Sequence, residues 1–157
     1  ELQRGNLNSA SNGTTTIAVT TRRPILSIRP AATYFGIANR SWYIPIEALF
    51  KVATNDLYWE VVFGGTLTGA AFAAATADST VEFDVAATAI TGGVSVVKGF
   101  AIAGLGAGSG EATARVAGRF PNSVNSLLGT QEGHTIVGTS FAGTSNVSAT
   151  VNWREIY

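Results

Sequence analysis

Few side chains in this sequence could do chemistry, and most of those stand alone. His134 is the only histidine and there are no cysteines, so a nucleophilic triad would have to use His134. A serine nucleophile also needs a strained turn of the Gly-x-Ser-x-Gly kind to lift its hydroxyl towards the base, and the sequence has none. His134 is therefore read as a strand-end histidine near the surface. The densest acidic group is Asp78, Glu82 and Asp84. On an extended strand Glu82 and Asp84 share a face about 7 Å apart, which suits a glycosidase pair or part of a calcium site. No Asp-x-Asp-x-Gly segment accompanies them, so a solvated outer strand face is the simpler expectation. A glycan-cleaving domain built on these three carboxylates is the enzymatic alternative.

Gly104-Leu105-Gly106-Ala107-Gly108 has the spacing of a phosphate cradle, but that spacing works only where a strand meets a helix N-terminus. No helical pattern follows, and the segment reads as an adaptable surface loop. Trp42, Tyr43, Tyr58 and Trp59 are the candidate contact surface, because exposed aromatic rings stack on sugars or bury at protein interfaces. Tyr58 and Trp59 are neighbours on one predicted strand and face opposite sides, so at most one belongs to the core. No catalytic, cofactor-binding or metal-ligating residue is assigned. Sequons at Asn12, Asn39 and Asn146 are what chance gives in a chain rich in Asn, Ser and Thr.

These residues sit on a chain that reads as strands throughout. Short extended runs are predicted at 17–19, 24–29, 42–52, 57–63, 80–85, 94–103, 114–120, 134–141 and 147–156, punctuated by Gly, Asn and Ser turns. In 80–85, Val81, Phe83 and Val85 alternate with Glu82 and Asp84; in 147–156, Val147, Ala149, Val151 and Trp153 alternate with polar residues. Pro45 argues for an edge strand or a bulge. Residues 47–52 carry the only helix-like spacing, and 71–77 is a loop or a closely packed strand. The expected fold is all-β, a two-sheet antiparallel β-sandwich of jelly-roll type, with a barrel as the alternative. Residues 1–20 are expected to be an arm or linker from a longer chain, and 21–157 the sandwich domain.

The 157 residues suffice for one core. Charged residues make up only 13%, against about 25% in ordinary soluble domains. Ten Lys and Arg balance ten Asp and Glu, so no long-range field draws the chain to nucleic acid or an anionic membrane. The longest apolar region, 85–108, is broken by Thr, Ser, Gly and Lys98 and does not suit a bilayer span. The lack of methionine leads us to expect a piece of a longer polypeptide, although removal of an initiator would also satisfy it. Low charge is compatible with a surface covered in an assembly, or with one solvated by Ser, Thr, Asn and Gly.

Several segments resemble a domain found at the ends of tailed-bacteriophage virion structural proteins of head-fibre, decoration, tail-fibre or baseplate type. They are Arg23-Pro24-Ile25-Leu26-Ser27-Ile28-Arg29, Asn39-Arg40-Ser41-Trp42-Tyr43-Ile44-Pro45 and Tyr58-Trp59-Glu60-Val61-Val62-Phe63, followed by Thr66-Leu67-Thr68-Gly69-Ala70. Val81-Glu82-Phe83-Asp84-Val85, Thr88-Ala89-Ile90-Thr91-Gly92-Gly93 and Val151-Asn152-Trp153-Arg154-Glu155-Ile156 continue the likeness in the same order. The resemblance implies a non-enzymatic structural module of the virion, on capsid or tail, without cofactors. Its implied partners are further copies of itself and other virion proteins. A receptor- or carbohydrate-binding module, directed at a host surface glycan or receptor, is the alternative.

Overall fold

The computed structural model describes residues 5–104, 110–114, 122–125 and 128–157. They form an all-β sandwich of antiparallel sheets. The first sheet contains β1 (Gly5–Ser11), β2 (Ile17–Val19), β6 (Trp42–Ala53), β13 (Gly110–Ala114) and β15 (Ser145–Ile156). Its order is β1-β15-β6-β13, with β2 also paired to β15. The second sheet contains β3 (Arg23–Pro30), β7 (Leu57–Phe63), β9 (Ala73–Ala74), β10 (Val81–Asp84), β12 (Val94–Ala101) and β14 (His134–Ser140), ordered β12-β7-β14-β3-β10-β9. Two small ladders lie outside these sheets: β4 (Thr33–Tyr34) with β5 (Ile37–Ala38), and β8 (Thr66–Thr68) with β11 (Ala89–Thr91).

Strand periodicity places the core. On β15, Val147, Ala149, Val151, Trp153 and Glu155 all point inward and are buried, while the intervening residues are partly or fully exposed. Facing them from the second sheet are Ile25, Ile28, Leu57, Trp59, Val61 and Ile136. Phe50 of β6 stacks on Trp59 of β7 with ring centroids 4.9 Å apart, tying the two layers together. Each such fully buried side chain contributes about 1.5–3 kcal/mol.

β6 lies between β15 and β13, so Pro45 is accommodated by a bulge and not by an edge. The register steps from Asn152 opposite Glu47 to Trp153 opposite Pro45, leaving Ile46 as the extra residue. The bulge switches parity: Tyr43 and Pro45 point inward before it, and Ala48, Phe50 and Val52 after it. Residues 47–52, with their helix-like spacing, are thus part of a strand whose periodicity the bulge interrupts.

The boundary expected at residue 20 does not hold for the described residues. β1 pairs with β15 from Gly5 opposite Ile156 to Ser11 opposite Thr150, and β2 pairs with it through Val19 opposite Ser145. Ala10 and Val19 are buried in the common core. The polar composition of β1 resembles a linker because only one of its faces meets the core. Of the expected loop at 104–110, residues 105–109 lie outside the described residues, and Gly110 already belongs to β13; 115–120 of the strand expected at 114–120 lie outside them too.

Candidate functional site

His134 opens β14 and is 5% exposed, so the expectation of a near-surface histidine is corrected. Its Nδ1 lies 2.9 Å from the Tyr43 hydroxyl, which accepts a hydrogen bond from Asn122 Nδ2 at 3.0 Å. The Tyr43 and Phe63 rings flank the imidazole. Burial pushes His134 down to about 4 and drives the Tyr43 hydroxyl above its ordinary value. This neutral, enclosed network spans the two sheets, and among the described residues no serine or threonine hydrogen-bonds the His134 ring.

The acidic group on β10 also turns inward on itself. Asp84 is buried, accepting from the backbone N–H groups of Ala71 at 2.7 Å, Ala86 at 3.1 Å and Ala87 at 3.0 Å. It fastens the segment before β9 to the turn that follows β10. Glu82 accepts from Arg29 Nε at 2.9 Å, and that guanidinium lies 3.8 Å above the Phe72 ring. Asp78 offers its backbone carbonyl to Tyr34 and Tyr157. The solvated carboxylate face expected at Glu82 and Asp84 is therefore corrected to one capping carboxylate and one ion pair. Among the described residues, no three His, Asp or Glu side chains converge as a metal site would require.

Sequence reasoning passed over Glu155, although the alternation of β15 carried one step past Trp153 points it inward. Its carboxylate is wholly buried. Oε1 accepts from Asn8 Nδ2 at 2.8 Å, Trp153 Nε1 at 2.8 Å and the Ser79 hydroxyl; Oε2 accepts from the Thr80 N–H and hydroxyl, each at 2.9 Å. Burial by itself would raise this carboxyl, but hydrogen bonds from Ser79, Thr80 and Trp153 hold it below the ordinary glutamate value. The Tyr157 hydroxyl lies 3.1 Å from Oε2 and is pushed up to about 12 by its burial and by the charge of Glu155.

The aromatic candidates divide between core and surface. Tyr43 and Trp59 are core residues, 1% and 5% exposed, which removes them from the contact surface. Trp42 and Tyr58 face outward and belong to different regions. Tyr58 lies on the outer face of the second sheet, 5.7 Å from Phe100 between ring centroids, and Phe100 is 5.8 Å from Phe141. Leu67 and Ile90, from β8 and β11, cover Val62 and Val137 on this face. The Tyr58, Phe100 and Phe141 cluster is left open beside them, with Phe100 and Phe141 more than three-fifths exposed at 68% and 63%. β12 borders it as an edge strand, hydrogen-bonded to β7 and to no other strand among the described residues. Val94, Val96 and Phe100 are exposed along β12, Ile102 just beyond it, and Lys98 is its only charged side chain.

Trp42 lies elsewhere, at the mouth of a groove of about 490 Å³ lined also by Ala38, Arg40, Ser123 and Asn125. Beyond Arg40 a second groove of about 470 Å³ is walled by Tyr34, Ile37 and Tyr157. No family model, curated protein or solved structure matches the chain.

Proposed function

We propose that this chain is a non-enzymatic structural module of a phage virion, on capsid or tail, which assembles with further copies of itself through the β12 edge and the aromatic cluster beside it. The observation that carries the assembly reading is this edge: a strand paired on one side only among the described residues, with Val94, Val96, Phe100 and nearby Ile102 exposed, and with Phe100 in ring contact with Tyr58 and Phe141. Natural edge strands are normally shielded by charge, proline, a bulge or a covering element; among the described residues Lys98 is the only charge on β12, its ladder is bulged between Ser95 and Val97, and β13 approaches it. Phe100 and Phe141, 68% and 63% exposed and in ring contact, leave an open aromatic patch beside this edge, of the kind that marks an interaction site. A second copy is the favoured occupant because the chain has no net charge, so identical copies do not repel at long range. The virion placement rests on the resemblance of the ordered segments from Arg23 to Ile156 to those of phage structural proteins.

The non-enzymatic reading is supported by how the reactive groups are employed. His134, Asp84, Glu82 and Glu155 each hold neighbouring elements together. Replacing Val96 by Lys and Phe100 by Asp together puts charge on the edge without touching the core. The expected outcome is a folded monomer with an unchanged far-ultraviolet spectrum where the parent chain is oligomeric; an unchanged oligomer would remove β12 as the interface.

A further inference from the structure

The two grooves that meet at Arg40 lie at the end of the sandwich where β4, β5 and the start of β6 come together, away from the β12 edge. We propose that they form one cleft for an acidic saccharide, with Arg40 binding its carboxylate, sulfate or phosphate group and the aromatic walls receiving the sugar rings.

The first support is how the loop carrying Arg40 is held. Asn39 is 5% exposed and spends its whole amide on this loop. Its Nδ2 donates to the carbonyls of Ala31 and Thr80, each at 2.9 Å, its Oδ1 accepts from the Ser41 N–H at 3.0 Å and from the Ser41 hydroxyl, and its own N–H donates to Ala32. Such bracing fixes the backbone on both sides of Arg40. Arg40 itself is exposed and has no hydrogen-bond or ion-pair partner among the described residues. The bracing fixes where Arg40 leaves the backbone, and its free guanidinium offers an anionic group a planar, two-pronged set of donors.

The second support is the aromatic lining. On one side Tyr34 and Tyr157 stack with centroids 5.8 Å apart and planes at 20°. Both hydroxyls are tied to the Asp78 carbonyl, at 3.3 and 3.2 Å, which steadies the rings. On the other side stands Trp42, 49% exposed. The C–H face of a pyranose packs against the electron-rich face of such rings while its hydroxyls remain free for polar neighbours. Each groove falls within the ~300–1,000 Å³ of small-ligand sites. Arg40, the one cation among the described lining residues of a chain with no net charge, suits a single acidic group and not a polyanion such as nucleic acid, which needs several phosphate contacts.

The third support is local strain. Phe35 and Gly36 form the two-residue turn between β4 and β5, both with positive φ, 47° and 79°. Asn or Gly is the comfortable residue at the first of these positions, and a bulky aromatic is an outlier there. Phe35 nevertheless stands 77% exposed, its ring 4.5 Å from that of Tyr34, which lines one of the grooves. Strain of this kind is retained where a contact requires it.

The test is titration of the full chain with a panel of trisaccharides bearing uronate, sialate, sulfate or phosphate groups, beside their neutral counterparts. Tryptophan emission serves as the readout, since Trp42 is the exposed one of the three tryptophans. The expected result is saturable quenching by at least one acidic member, weakened tenfold or more by Arg40→Gln with no change in melting temperature; for Trp42→Ala, which removes the reporting fluorophore, binding followed by calorimetry is expected to weaken tenfold or more. No saturable binding across the panel, equal binding of neutral and acidic forms, or acidic binding unaltered by Arg40→Gln would each overturn the proposal. None of these outcomes bears on self-assembly, which uses the other region of the surface.

Discussion

At the scale of single residues, the buried polar groups decide stability, and Glu155 is the sharpest case. Removing its carboxylate in Glu155→Ala would leave the donors of Thr80 and Trp153 unpaired inside the protein. The cost is expected to be about 3–5 kcal/mol, read as a lower midpoint in urea unfolding. The pH dependence follows from the directions of the shifts. Glu155 is held low, as is Glu60, whose burial would raise it but whose pairing with Arg22 outweighs that. Both therefore contribute stability above the unfolded glutamate value of about 4.3, and lose it as pH falls through their folded values. His134 acts in the same sense in an earlier window. It stays neutral in the fold down to about 4, whereas the unfolded chain takes up the proton below about 6.5, so up to about 3 kcal/mol is lost between these values. Urea midpoints measured from pH 7 to 4 should fall for the parent chain and flatten above pH 5 in His134→Gln; an equal slope in both would show that another group titrates. Neither His134 nor Glu155 could be read as buried from residue type alone, because burial of a polar side chain depends on donors brought from distant segments such as Asn122 and Ser79.

At the scale of elements, periodicity was the readable signal and pairing was not. β7 occupies residues Leu57–Phe63 and β2 occupies Ile17–Val19, as the apolar runs predict, and the alternation along β15 predicts which of its side chains enter the core. β1 escaped notice because its Asn and Ser residues carry little apolar alternation, and its place depends on β15 at the other end of the chain. The bulge at Ile46 is legible only as a proline in an otherwise regular strand. The approach of β12 to β7 gives a direct check on cross-strand packing. Gly99 lies opposite Trp59, and a Cβ there would overlap the indole that stacks on Phe50. Gly99→Ala should therefore destabilise by about 1–3 kcal/mol, seen as a lower melting temperature with near-ultraviolet circular dichroism altered by the displaced indole. An unchanged melting temperature would mean that the two strands separate without cost.

At the scale of the whole molecule, the sandwich explains why so few charges suffice. Its reactive side chains are consumed in joining sheets and loops, and its exposed apolar side chains gather in two regions, along β12 with Phe141 and around Phe35, Ile37, Trp42 and Tyr157, with Leu7, Ile46, Val85 and Leu128 elsewhere. Composition alone left open whether the low charge reflects a covered surface or one solvated by small polar residues; the exposed edge favours the first. An apolar interface between neutral copies is insensitive to screening, whereas one held by surface ion pairs weakens within the first few tenths molar of salt. The most direct measurement is the mass of the chain by light scattering over a range of concentrations, at low and high salt. The account predicts a defined oligomer that persists at high salt and at the lowest concentration measured. A strict monomer under all these conditions would contradict it.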